Sequence, residues 1–273
     1  MRRTTLHALE QLWRRTRCVE DEAALLAARV RYGTLSVGQL ELASALGHPA
    51  ARELLPVGVD PSVPPARTQR VWSEDLGDFM DRPLPGDELR VWAEGLARWG
   101  QRACLRVGLA ANLWAFRRVA NRIVTIPREE RSDSSLAQVP LLLAEAAGAL
   151  DALERYRNAP CGQTRAALEP YLRDEESCGW REVDDLAERD TRRLLGVHTR
   201  LVAGVLGAPP EKRELRGHDP SLSQRWALPF AVGGAIEHAR VGLRPGEPEL
   251  ALKVAIRRAL LPWVLGGVAA PAA

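Results

Sequence analysis

The sequence predicts an all-α protein, an irregular array of antiparallel helix pairs of the degenerate α-repeat or helical-bundle kind. Three observations carry this expectation. Strand formers are scarce, with four Ile, three Tyr and three Phe in 273 residues. Ala and Leu recur in nearly every segment, and they lose little on entering a helix where β-branched residues lose χ1 freedom. Apolar residues return at intervals of three and four between Gly and Pro stops.

The elements follow in order. A first helix starting at Thr4 or Thr5 puts Leu6, Leu9 and Trp13 on one face. The second, in VEDEAALLAARVRYG, has Glu20, Asp21 and Glu22 at its positive end, Arg29 and Arg31 at its negative end, and Gly33 as its stop. Val19, Ala23, Leu26 and Val30 form its expected buried stripe. Ser36-Val37-Gly38-Gln39 has the form of a capping box, Gly47 ends that helix, and Pro49 opens the next at its first position. Helices this short need stacked neighbours to bury their faces.

A Pro-rich stretch, PVGVDPSVPPARTQR, is the expected boundary. The predicted organisation is a short-helix, repeat-like unit over residues 1–57, a linker over 58–71, a main helical domain over 72–267 and a tail over 268–273. In the main domain, DELRVWAEGLARWG and QRACLRVGLAANLWAFRRVANRIV read as consecutive helices parted at Gly100. The loop TIPREERSDSS leads to AQVPLLLAEAAGALDALERYRNAP, expected to turn Leu143, Ala147, Leu150 and Leu153 inward. A short helix kinked at Pro170, one long or two abutting helices over 178–207, the segment SLSQRWALPFAVGGAIEHARVG after a Pro- and charge-rich loop, and a last helix, EPELALKVAIRRALLPWVLGG, complete the array.

The formal charge of +3 offers no electrostatic case for nucleic acid. The start MRRTTLHALEQLWRRTR has no uninterrupted apolar core, and no run approaches the roughly 20 apolar residues of a spanning helix, so a soluble, cytoplasmic chain is expected. The cysteines, Cys18, Cys104, Cys161 and Cys178, form no CxxC. Their spacings are irregular and they read as reduced core residues, a Cys161–Cys178 disulfide being the alternative.

LELASALGHPAARELL carries an Ala-x-x-x-Gly-His-x-x-Ala-x-x-x-Leu cadence at Ala43, Gly47, His48, Ala51 and Leu55, whose small members let adjacent helices approach closely. Residues 30–58 thereby resemble a Sel1-like or tetratricopeptide-type α-repeat. More broadly, EDEAALLAARVRYGTLSVGQLELASALGHPAARELL, GLARWGQRACLRVGLAA and AIRRALLPWVLGG are similar to uncharacterised helical proteins of myxobacterial genomes. That resemblance implies a helical architecture and assigns no site residues.

Two sets of residues are candidates for function. Asp184, Asp185 and Glu188, read as a DDxxE arrangement on a helix, could share a hard cation between oxygen ligands, as Asp-rich motifs do in all-α enzymes acting on diphosphates. The structural reading of the same residues is a solvated acidic face answered by Arg189, Arg192 and Arg193. Trp72, Trp92, Trp99 and Trp114 either anchor Ala-rich helices or form a partner-binding surface. His198 and His238, within apolar patterns, read as satisfied core histidines; no metal-ligand spacing, P-loop or nucleophile elbow occurs. The sequence therefore predicts a non-enzymatic, cofactor-free scaffold or adaptor for a protein partner, possible forms including an immunity-type protein that sequesters a toxin. The alternative is a Mg²⁺-dependent all-α enzyme with a diphosphate substrate.

Overall fold

The computed structural model describes residues 2–55, 68–73, 78–83, 99–172, 185–207, 232–236, 239–244, 247 and 249–266. Trp92, Cys178, Asp184 and His238 lie outside the described residues, as do the side chain of Trp72 and most of the expected linker. Apart from one hairpin, the regular elements among the described residues are helical, and the protein is all-α. The hairpin pairs β1 (Thr68–Ser73) antiparallel with β2 (Asp78–Pro83), Thr68 opposite Pro83 and Ser73 opposite Asp78. Sequence composition did not anticipate it.

The chain divides into two compact units: residues 1–62 with 257–273, and residues 63–256. The first holds α1 (Arg2–Thr16), α2 (Val19–Arg31), α3 (Val37–Ala45) and α4 (Pro49–Leu54). Local chemistry sets each boundary. Gly33 and Gly47 stand in the left-handed region, φ 71° and 83°, where a Cβ is strained. Each ends its helix in a Schellman turn: Thr34 N–H donates to Arg29 O at 2.9 Å, and His48 N–H donates to Ala43 O at 2.9 Å. The capping box forms in both directions, Gln39 N–H to Ser36 Oγ at 3.1 Å and Ser36 N–H to Gln39 Oε1 at 2.9 Å. His48 then caps α4, its Nδ1 accepting from Ala51 N–H, with Pro49 at the first helical position.

The core of this unit is closed by the far end of the chain. The last helix, Leu250–Val264, reaches into it from Arg257 onward. Leu260, Val264 and Leu265 are buried, as are Trp13, Leu25, Leu26, Leu35, Leu40 and Leu46 of the same unit. A helix C-terminus leaves carbonyls without intrahelical partners. Here Gln39 Nε2 donates to Val264 O at 3.0 Å and Arg29 Nη1 donates to Leu265 O at 2.6 Å. Gln39 thus ends two problems at once: its oxygen serves the start of α3, its nitrogen the end of the last helix.

The second unit is built on α5 (Gln101–Thr125), α6 (Asp133–Asn158) and α8 (Leu186–Leu206), with the short α7 (Gly162–Ala166) between them and α9 (Leu250–Val264) entering it up to Ile256. The three long helices pack pairwise. Helices α5 and α8 run antiparallel, since Gly108 meets Leu201 near one end and Arg122 pairs with Asp190 near the other. Helices α6 and α8 run parallel, their first turns side by side. The inward face of α6 is Val139, Ala146, Ala149, Leu150, Ala152 and Leu153; Leu143 is half-buried and Ala147 is exposed, unlike the expected stripe. Contact on α6 from two helices shifts and widens the buried arc beyond one heptad line.

Gly108 sets the α5–α8 separation: a Cβ there would lie 2.7 Å from Cδ1 of Leu201, itself fully buried. Gly108→Val is therefore expected to destabilise the protein by about 1–3 kcal/mol through overpacking, read as a lower denaturation midpoint. Gly38→Ala, at a helical glycine with open space around it, serves as the control and leaves the midpoint unchanged or raised.

Candidate functional site

The acidic stretch leads to the point where α6 and α8 begin. The chain enters α8 at Leu186, so Asp185 is its N-cap and Glu188 its third residue. The Asp185 carboxylate accepts from Glu188 N–H at 3.0 Å through Oδ1. Through Oδ2 it accepts from Ser132 N–H at 3.0 Å and Ser132 Oγ–H at 3.2 Å. Ser132 is in turn the N-cap of α6, its Oγ accepting from Ser135 N–H at 3.0 Å. One carboxylate therefore caps one helix and grips the cap of its parallel neighbour.

Electrostatics explains why a carboxylate stands there. Two parallel helices place two partial positive charges side by side, and an anion between them is favoured over any neutral cap. Burial works to raise the Asp185 carboxyl. The hydrogen bonds from Ser132 N–H, Glu188 N–H and Ser132 Oγ–H outweigh it and hold the group below the usual aspartate value.

Glu188 completes the junction. Its Oε1 accepts from Arg192 Nε at 2.9 Å and Nη2 at 2.6 Å, and its Oε2 from Ser134 Oγ–H at 3.3 Å. All four oxygens of Asp185 and Glu188 thus hold donors from the protein itself. A cation taking these residues as ligands would have to displace two helix caps and a bidentate arginine. No group of three or more His, Cys, Asp or Glu among the described residues is arranged to hold a metal ion.

The expected solvated acidic face is also different in kind. Glu188 and Asp190 are only 5% and 4% exposed. Asp190 turns to Arg122 of α5, Nη1 to Oδ2 at 2.6 Å, while Arg122 Nη2 reaches the carbonyls of Val241 at 3.1 Å and Leu243 at 2.9 Å. Arg118 joins it, donating to Gly242 O at 2.9 Å and to Glu247. These two arginines hold the 3₁₀ turn Arg240–Gly242 against α5. Asp190 is the buried member of its pair while Arg122 is a quarter exposed, so removing Arg122 strands a buried carboxylate at a cost of about 1–3 kcal/mol.

Trp114 belongs to this fastening. Arg118 stacks over its ring at 4.9 Å, and a Cβ on Gly242 would come within 2.7 Å of Trp114 Cζ3. The half-buried Trp114 is thus an anchor for the turn. Trp99, half-buried, immediately precedes Gly100, the residue that opens α5 at φ 88°. The described residues bring Asp185 and Glu188 together, while Trp99 stands just before α5 and Trp114 within it. Cys18, Cys104 and Cys161 carry free thiols, Cys104 buried and pushed up to about 11 by that burial.

Sequence reasoning missed three things here. The cap role of Asp185 had a signal: D-x-x-E before an apolar periodic run marks a helix start as well as a metal motif. The Arg122–Asp190 pair is a contact between residues far apart in the chain and leaves no local trace. His198 was expected as a satisfied core residue. It is 1% exposed, yet neither ring nitrogen has a hydrogen-bond partner among the described residues, and burial drives its pKa down to about 3.

Comparison with protein-family models, with curated proteins and with solved structures gives no match to this chain.

A pH dependence follows from His198. Its ordinary value is about 6.5, so between that pH and about 3 the unfolded chain binds a proton that the folded protein refuses. Stability therefore falls as pH drops through this window, by up to about 1.4 kcal/mol per unit from this residue alone. Denaturant midpoints measured from pH 7 to pH 4 should fall less steeply in His198→Leu than in the parent, and parallel curves would exclude the assignment.

Proposed function

We propose that the chain is a non-enzymatic scaffold that binds a protein partner, with immunity-type sequestration as one form. The observation that carries the reading is the outer face of α6. Ala137, Leu141, Ala144 and Ala147 follow one another at helical spacing, and all four are exposed, Leu141 by 66%. Small residues flanking one leucine make a smooth apolar strip of the kind into which a partner helix packs closely. By length and composition α6 is also apolar enough to cross a membrane, with one third of its most apolar window buried. Its other face is packed on α5 and α8 and its start is capped by Ser132, which favours a helix half in a protein core and half available to a protein partner.

The acidic residues support the same reading from the other side. Asp185 and Glu188 spend their oxygens on helix caps and Arg192, so the diphosphate-enzyme alternative would have to undo the junction that starts α6 and α8. Arginine and tryptophan, two residue types enriched at binding hot spots, are at Arg118, Arg122 and Trp114 engaged in holding a turn.

The test is capture on the immobilised full chain from its native lysate, in parallel with Ala144→Glu. The charge on the strip is expected to abolish retention of one stoichiometric protein while circular dichroism stays unchanged. An empty parent column, or retention that Ala144→Glu leaves intact, contradicts the reading.

A further inference from the structure

Most polar side chains inside the second unit are spoken for. Thr191 Oγ1–H donates to Ala187 O at 2.6 Å, and Asp190 and Glu188 have their arginines. Asn112 and His198 stand apart, each with two polar atoms unpaired, where Ser135 and Arg131 leave one each, Oγ and Nε. The former two are 0% and 1% exposed, and Asn112 Nδ2 and Oδ1 and both His198 ring nitrogens lack hydrogen-bond partners among the described residues. Leaving such groups unsatisfied is costly, and native cores rarely do it.

The two residues occupy one level of the core. Helices α5 and α8 are antiparallel, with Gly108 against Leu201 and Arg122 against Asp190. Asn112 lies one turn after Gly108 and His198 one turn before Leu201, so the register sets them opposite each other. The parallel register that puts Ser132 beside Asp185 brings the Ala146 turn of α6 to the same level. The neighbours there are small: Ala111 and Ala115 on α5 and Ala146 and Ala149 on α6 are all buried alanines.

We propose that Asn112 and His198 form a buried hydration site, sharing an ordered water at the α5–α6–α8 junction. The donor set selects that ligand. An amide offers two donors and an acceptor, and a neutral imidazole offers one of each, so the occupant must both donate and accept. A metal ion satisfies no donor, an anion finds no cation, and an apolar molecule leaves every group as it was. Water makes two to four hydrogen bonds in such positions and is small enough to sit among alanines. The site also has a structural consequence, because a bridged polar pair ties the facing turns of α5 and α8 to one register where alanines alone would let them slide.

A high-resolution crystal structure of the full chain tests this directly. The expected result is one water about 2.7–3.2 Å from both an Asn112 and a His198 polar atom; a direct Asn112–His198 hydrogen bond, or a dry contact, overturns it. Thermal unfolding of Asn112→Leu, His198→Leu and the double variant decides the same point in solution. If the pair shares a water, each single replacement strands the other group and lowers Tm by about 2–4 °C or more, and the double loses less than the two losses combined. If the groups stand unhydrated, each replacement removes a buried penalty and Tm rises, which contradicts the proposal.

Discussion

The second unit depends on what happens at Asp185. A helix start presents four N–H groups without partners, and two parallel starts side by side double that demand and add their dipoles. A single carboxylate placed between them answers both. It donates nothing and accepts from Glu188 N–H, Ser132 N–H and Ser132 Oγ–H, so it caps α8 while fixing the residue that caps α6. Each such cap contributes about 1 kcal/mol, and charge-assisted bonds lie at the upper end of that range. The packing of α5 and α8, through Gly108 against Leu201 and Arg122 against Asp190, is then laid on helices whose starts are already aligned.

The same device appears in the first unit in a different form. There the orphan groups are carbonyls at a C-terminus, and Arg29 and Gln39 supply the donors. In both places a side chain that serves its own helix is also used to fasten a second one. Short helices such as α3 and α4 gain little from propensity alone. Fastening at their ends is what allows nine residues and six residues to hold their places. Among the described residues the outer face of α6, with Ala137, Leu141, Ala144 and Ala147, is exposed, and it is the surface proposed above for a partner.

What could be read from the sequence divides along the range of the interaction. Helix class, the Ser36–Gln39 capping box, the Gly33 and Gly47 stops and Pro49 at a first helical position are all local, and each is present. The motif at 184–188 was legible as chemistry and misleading as geometry: aspartate before an apolar run serves a helix start as well as a cation, and only the position of Leu186 as first helical residue separates the two. Arg122 with Asp190 and Gln39 with Val264 arise from packing between residues distant in the chain. No spacing rule encodes those contacts, so the buried polar groups that decide how the helices meet were invisible until the helices were placed. The β1–β2 hairpin begins at the end of the Pro-rich stretch, and its six-residue strands carry too few β-branched and aromatic residues to signal pairing.

The central claim is that Asp185 is an architectural anion shared by two helices, and amide hydrogen exchange on Asp185→Ala tests it most directly. The account predicts that protection is lost together at Glu188 N–H in α8 and at Ser132 and Ser135 N–H in α6, although Ser132 lies 53 residues away from Asp185 in sequence. Loss confined to the start of α8, with the α6 amides exchanging as in the parent, would contradict it.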